Sequence, residues 1–389
     1  MLKYLSYYLF MLRLFISTLL IFFSSSLYAD VSCKPSSTPL TSTVTLNGVY
    51  YIGNEMPVGT VIYRTQIKEA DVTGIHCDGA FSVPRMLGIA SEPSGTSSSI
   101  PVPGYTGEIY PTNIPGISAA ILFTNITITQ KKPLNAGGIN FANTNTSGGD
   151  FRYQGVVDLS LIKTGSFAPG TVVNGNSLPT IIVYAGNSTS YSGVPGYIGL
   201  PITVDTINFS GSIKFVGGTC TTPSYTVNMG SYEIKDYFTG KGSTSPWIDA
   251  SIKLTGCPAF TGYHNDTTYQ NVTGTGTPTG GPIRNNAIDI DIKPATAFVD
   301  KDNGIFALQP SGSSPTAAGV GFQLGYTPLP NGTVIPPTTI FNGANIRVYF
   351  PKNMSGNISI PLAARYYQTG QNATPGKANG MVTYIITYK

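Results

Sequence analysis

Charge is what this 389-residue sequence has least of: Lys, Arg, Asp and Glu together make up 10% of it. Its formal net charge of +4 falls to +2 once Lys3 and Arg13 are set aside with the first 29 residues. So weak a balance gives no footprint for nucleic acid or an anionic surface as partner. Histidine is nearly absent. With only His76 and His264, no three-histidine metal site can be built within one chain. His76 adjoins Cys77 and reads as a structural residue at a strand end, with Asp78 placed to orient it, while His264 stands far from any other candidate ligand. There is no CxxC pair, no GxSxG elbow and no glycine-rich nucleotide loop, so thiol exchange, serine hydrolysis and phosphate binding have no motif to rest on. The acidic pair Asp289 and Asp291 in IDIDIK has strand spacing and reads as a solvated face rather than a glycosidase dyad.

Helical periodicity is missing as well. No stretch carries an amphipathic pattern of three turns, and beyond the first 29 residues no run approaches the ~20 apolar residues of a membrane-spanning helix. Thr, Ser, Asn, Gly and Pro abound among Val, Ile and Tyr, the composition of an all-β extracellular protein. Residues 43–52, 60–64, 119–130, 155–163, 180–185 and 202–209 read as strands, with Gly-, Pro- and Asn-rich loops at 54–59, 92–107, 143–150 and 186–199. Val157, Leu159 and Leu161 alternate with Asp158 and Ser160, which predicts a strand with one wet face. The stretch 261–282 reads as a weak strand and a long loop. At the end, GMVTYIITYK places Val382, Tyr384, Ile386 and Tyr388 at every second position, the pattern of a half-buried strand.

The first 29 residues hold Lys3 and Arg13, an apolar stretch from Leu14 to Phe23, then Ser24 to Ser26 and Ala29, the layout of a secretory signal cleaved after Ala29. Export would put the four cysteines in an oxidising compartment. They allow three connectivities, of which one local bridge per half, Cys33–Cys77 and Cys220–Cys257, is the simplest. Two domains are expected at this length, 30–215 and 216–389, with the boundary near FVGGTC (215–220), where Gly217 and Gly218 loosen the chain. Lone Trp247 reads as core of the second.

These residues resemble a known family, the two-domain tip adhesins of chaperone–usher fimbriae. In the second half the likeness rests on Cys220 opening a strand, SIKLTGC ending at Cys257, IPLAARYYQTG (360–370), Gly376 as fourteenth residue from the end, and penultimate Tyr388. The first half is similar to the type 3 fimbrial adhesin group in MPVGTVI (56–62), GIHCDG (74–79), IYPTNIPGI (109–117) and DFRYQGVVDLSLIKTG (150–165). The resemblance implies an all-β chain: a receptor-binding, sandwich or jelly-roll-like domain, then an immunoglobulin-like pilin domain that lacks its last strand. An open edge of that kind invites aggregation unless another chain covers it. A periplasmic chaperone would cover it first, and beyond the outer-membrane usher the next subunit's N-terminal donor strand would replace the chaperone by β-augmentation. Gly376, Val382, Tyr384, Ile386 and Tyr388 would belong to that groove, and the Lys389 carboxylate would meet basic residues of the chaperone. With another β domain ahead of Cys220 the chain would accept a strand and donate none, which implies a place at the fimbrial tip on the cell surface, reached through the periplasm.

The receptor site is expected in the first half. Tyr105 and Tyr110 in GYTGEIYPTN and Tyr191 and Tyr197 in STSYSGVPGYIG would offer flat apolar faces that end in a hydroxyl. Asn113, Asp150 and Arg152 would add directional polar contacts. The expected receptor is a host glycan or glycoprotein. The alternatives are collagen or another matrix protein, which would need an extended groove rather than a compact pocket, and a structural tip subunit with no ligand. No catalytic residue, metal or cofactor is assigned.

Overall fold

The computed structural model describes residues 30–70, 74–98, 108–125, 132–133, 139–152, 155–187, 196–312, 314–326, 339–340 and 346–389. The signal-like segment 1–29 lies outside them, as do Tyr105 and Tyr191. Among the described residues the chain is built almost wholly from strands, and its one α-helix is the single turn Ile234–Tyr237.

Two large sheets and one small one enclose the core of the first half. One large sheet runs in the order Gln270–Thr273, Val61–Lys68, Gly155–Lys163, Ile117–Asn125 and Ile109–Pro111. The other runs Thr171–Asn174, Ile202–Val216, Thr180–Ala185, Phe81–Ser91 and Ile139–Asn143, with Leu40–Tyr51 lying parallel along Ile202–Val216 from Asp205 to Val216. The small sheet runs Gly149–Arg152, Gly74–Cys77, Val31–Pro35 and Tyr197–Ile198. The disulfide Cys33–Cys77 joins its two central strands at directly opposed positions, Cα to Cα 4.1 Å. Phe81–Ser91 is a strand that the sequence does not mark, because Pro84 and Gly88 argue against one. It is held by pairing on both sides and by a buried ion pair, in which Arg85 Nε and Nη2 donate to Glu69 Oε2 at 3.0 and 2.7 Å.

The wet face predicted for 155–163 is dry. Asp158 and Ser160 are buried, Asp158 completely. Arg64 on the neighbouring strand donates to both oxygens of Asp158 at 3.0 and 2.7 Å, and Ser160 and Gln66 add further hydrogen bonds to the same carboxylate. The cover comes from the other half of the chain. Arg64 also donates to the Asp266 carbonyl, and its guanidinium lies 4.8 Å from the centre of the Tyr269 ring.

Asp266 and Tyr269 belong to an arm, residues 261–283, that leaves the second half and packs on the first. Its strand Gln270–Thr273 pairs in parallel with Thr65 to Lys68 and becomes the edge of that sheet. Tyr263 and Val272 are buried in the first-half core, with Ile283 packed against it. Both Tyr50 and Tyr63 direct their hydroxyls to Gln270 Oε1. A buried amide fastens the root of the arm. Asn286 Oδ1 accepts from the Gly262 N–H at 2.8 Å, and Asn286 Nδ2 donates to the Tyr51 carbonyl at 3.1 Å.

The second half has its own core around Leu254, Phe260, Ile288, Ile290, Phe350 and Ile360. Ile248–Asp249, Leu362–Gln368, Val320–Tyr326, Ile305–Ala307 and Phe298–Asp300 form one sheet. Ile252–Phe260 pairs with Met354–Ile360, and Ile346–Tyr349, Ala287–Pro294 and Val382–Tyr388 make a third group. The disulfide Cys220–Cys257 ties the entry of this half to the strand Ile252–Phe260. Asp289 and Asp291 are half-buried rather than freely solvated, Asp289 being gripped by Arg347 at 2.6 and 2.7 Å. Trp247 is not core. It is partly exposed with the Arg365 guanidinium over its ring at 4.2 Å, because a cation stacked on one face shelters an indole without burying it.

A fragment of residues 30–215 lacks Tyr263, Gln270 and Val272, and it uncovers the Arg64–Asp158 pair. It is expected to unfold at lower urea than the first half does within the full chain, and to regain stability with a synthetic 261–283 peptide. In the full chain, Asp158→Ala should cost about 3–5 kcal/mol, since it strands a buried guanidinium. Urea midpoints that ignore the peptide would show that the arm contributes nothing to the first half.

Candidate functional site

The terminal strand Val382–Tyr388 is paired on one side only. Its partner is Ala287–Pro294, in antiparallel register from Ile288 opposite Tyr388 to Pro294 opposite Val382. Lys389 and Ala287 exchange both backbone hydrogen bonds, which sets the phase of the ladder. In an antiparallel pair such residues alternate with ones whose N–H and C=O point away. Thr383, Ile385 and Thr387 therefore bond inward, and Val382, Tyr384, Ile386 and Tyr388 aim their backbone groups at the open side. No strand occupies that side among the described residues.

The side chains of the same four positions face the core. Val382, Tyr384 and Ile386 are half-buried and packed against it, and Tyr388 is buried. Residues 222–232 pass nearby without joining a sheet, leaving Val227, Met229 and Tyr232 half-covered against the same core. This segment is held by side chains. Tyr384 donates to the Pro223 carbonyl at 2.9 Å, the Cys220 N–H donates to the Tyr388 hydroxyl at 2.8 Å, and Tyr225 donates to the Ala250 and Ser251 carbonyls. Burial pushes the Tyr388 phenol up and takes that of Tyr225 to about 12, so both stay neutral, Tyr225 as donor and Tyr388 as acceptor in these bonds. An open cavity of about 220 Å³ lies at the Tyr388 end, lined by Glu55, Thr219, Cys220, Thr222, Tyr384, Ile386 and Tyr388.

Gly376 lies outside this strand, in the preceding loop. A Cβ there would come 2.4 Å from the Ala317 nitrogen, so glycine allows the 315–317 backbone to pass close by. At Lys389 the carbonyl accepts from the Ala287 N–H, and the Asn286 amide reaches it at 3.5 Å, so the chain end is fastened at the root of the arm.

The receptor candidates do not converge on one pocket. Tyr110 is buried, 1% exposed, and offers no free face. Asn113 is exposed but spends its amide on a turn: Nδ2 donates to the Val172 carbonyl, and Oδ1 accepts from the Asn174 N–H and the Ser177 hydroxyl. Tyr197 is half-buried, and its hydroxyl accepts from the Ser82 N–H. Asp150 and Arg152 are exposed on the edge strand of the small sheet, where Asp150 bonds His76 Nδ1 at 2.8 Å. The orienting partner of His76 is thus Asp150. Asp78 instead accepts from the Ser32 N–H at 2.7 Å. Lys34 lies directly across from His76, so Lys34, His76 and Asp150 form a polar row over three strands, with Arg152 two places further on. Sequence reasoning passed over Lys34 and His76 as site residues, and the period-two spacing of Lys34 from Ser32 across Cys33 was the available signal. Tyr197 stands on the far edge of the same sheet. Among the described residues no three His, Cys, Asp or Glu side chains group as a metal site would require.

No family model and no curated protein matches the chain. The solved structures it is similar to are tip adhesins and pilus subunits. The CupB6 tip adhesin from Pseudomonas aeruginosa is 15% identical, with 91% of this chain and 94% of that chain covered and a TM-score of 0.33. The receptor-binding domain of the plasmid-borne adhesin MrkD1P of Klebsiella pneumoniae is 19% identical over 50% of this chain and 99% of that one, TM-score 0.31. The CsuC–CsuE chaperone–tip adhesion subunit complex of Acinetobacter baumannii gives 8%, with 91% and 99% covered and a TM-score of 0.25.

Hydrogen exchange on the full chain is expected to alternate along the terminal strand. The amides of Thr383, Ile385 and Thr387 should be protected, and those of Val382, Tyr384 and Ile386 should exchange with the solvent-exposed set. Uniform protection would mean that the open edge is already covered.

Proposed function

We propose that the chain is a fimbrial tip adhesin of the chaperone–usher kind, in which 30–215 carries the receptor-binding surface and 216–389 accepts a strand from a partner. One observation carries the reading. The terminal strand turns an unpaired backbone edge and a half-covered apolar face to the same side. An incoming extended segment would complete both, main-chain bonds supplying affinity and alternate side chains filling the gap beside Val382, Tyr384 and Ile386. A periplasmic chaperone strand and the next subunit's N-terminal extension are the occupants this reading requires, with the usher as the place of exchange. The strand would enter along residues 222–232, which only side chains now hold.

For the receptor, the row Lys34, His76, Asp150 and Arg152 is the surface we assign; Tyr197 pairs with Val31 and so packs on the core side of the same sheet. The row is a sheet face rather than a pocket, and it presents directional polar groups in line. That geometry favours an extended ligand such as a matrix protein. A compact glycan pocket would have to come from the loops of Tyr105 and Tyr191, which lie outside the described residues.

Two measurements test the reading. A peptide of alternating apolar residues, added to the full chain, is expected to protect the amides of Val382, Tyr384 and Ile386 and to raise the melting temperature; no protection with any such peptide refutes strand acceptance. In binding to immobilised collagen and to a glycan array, the double substitution Asp150→Ala and Arg152→Ala should abolish the signal without moving the melting temperature, since exposed changes alter stability by only about 0.5 kcal/mol. Undiminished binding would remove this sheet as the site.

A further inference from the structure

The arm holds a titratable group that the proposed function does not use. His264 is 3% exposed, sits two residues before Asp266, and is wedged against the first half. Its ring centre is 5.6 Å from that of Tyr50 and 6.4 Å from that of Tyr63. The ring bonds the Pro282 carbonyl, which requires an N–H there, and Nδ1 is buried without a hydrogen-bond partner. Nδ1 is thus the position that a second proton would take, and no acceptor is placed to receive it.

We propose that His264 makes the arm an acid-sensitive latch between the two halves, closed while the imidazole is neutral and opened when it takes up a proton.

Two facts about the site drive the opening. A charged imidazolium buried against aromatic rings loses its hydration and gains no counter-ion. The charged group that acts on the ring is Lys352, of the same sign. The other ionisable neighbours give little relief. Tyr50 and Tyr63 are phenols held neutral by burial, with hydroxyls turned to Gln270. Tyr263 lies beside it on the arm, in contact with Arg284, another cation. Asp158 is already taken by Arg64, and Asp266 is exposed.

Burial accordingly lowers the proton affinity of the folded-state ring. In an undocked arm the ring would titrate near its ordinary value of about 6.5. The docked state therefore keeps its full stability above about pH 6.5, loses it as pH falls below that value, and stops losing it once the docked ring is itself protonated. The opening should be local. The arm strand Gln270–Thr273 and its neighbour Val61–Lys68 would loosen, and the second-half core would not.

The test uses the full chain. It has two histidines, so ring-labelled His gives two NMR signals, and the loss of one in His264→Gln assigns them. The His264 ring is expected to remain neutral below about pH 6.5, the ordinary value of an imidazole. Hydrogen exchange, corrected for intrinsic rates, should show opening of Val61–Lys68 and Gln270–Thr273 rising up to about tenfold per pH unit below 6.5, with Val320–Tyr326 unchanged. His264→Gln should abolish the rise. The proposal is overturned by an equal acid response in His264→Gln, or by a wild-type ring that protonates while those amides stay protected. If the variant fails to fold, the wild-type titration and exchange decide alone.

Discussion

With almost no helix among the described residues, nearly every buried backbone N–H and C=O must be satisfied on another strand, and in this protein the partner is often far away in sequence. That constraint organises everything else. A sheet made this way always has edges, and each edge must be bonded, covered or left for something outside the chain. The first half solves the problem at Val61–Lys68 by borrowing a strand from residues 270–273. Among the described residues, the second half leaves it open at Val382–Tyr388. The two solutions share a root, because Asn286 touches both the base of the arm and the carbonyl of Lys389.

The scarcity of charge gives the few buried ions a particular weight. Arg64–Asp158 and Arg85–Glu69 are nearly or completely buried. Removing two charges from water costs several kcal/mol per ion, recovered only with good geometry and further hydrogen bonds. Arg64 meets that demand with three bonds to Asp158, one to a carbonyl of the arm and an aromatic ring beneath. An apolar pair would pack as tightly but would not prescribe where the arm lands. The ion pair reads as a positional device, fixing register between segments about 200 residues apart.

Much of the second half was legible in the residues. Alternation of Val382, Tyr384, Ile386 and Tyr388 reports directly on a strand with one buried face, because side-chain period and backbone period coincide. Local cysteine spacing was equally readable. What stayed hidden depended on partners distant in sequence. Asp158 and Ser160 carry the pattern of a wet face, and the arm that holds Arg64 over Asp158 comes from residues about 100 further along the chain. Phe81–Ser91 contains Pro84 and Gly88, which oppose a strand until pairing on both sides overrules them. Of the receptor candidates, Tyr110 and Asn113 are both spent inside the fold, one in the core and the other fastening a turn, which residue type does not report. His76 has an aspartate two places away, yet it bonds the one across the sheet.

The Asn286 junction also decides how the molecule would bear tension. The covalent path between the halves runs through Gly217 and Gly218, which by themselves would make a hinge. A second path runs beside it. Force drawn along Val382–Tyr388 is resisted in shear by seven register pairs with Ala287–Pro294, and it passes from Asn286 to Tyr51 and Gly262, and on through the arm to Val61–Lys68. Two load paths in parallel stiffen a joint that one alone would leave free to swivel, and a pull on the second half would reach the first with little lost to bending.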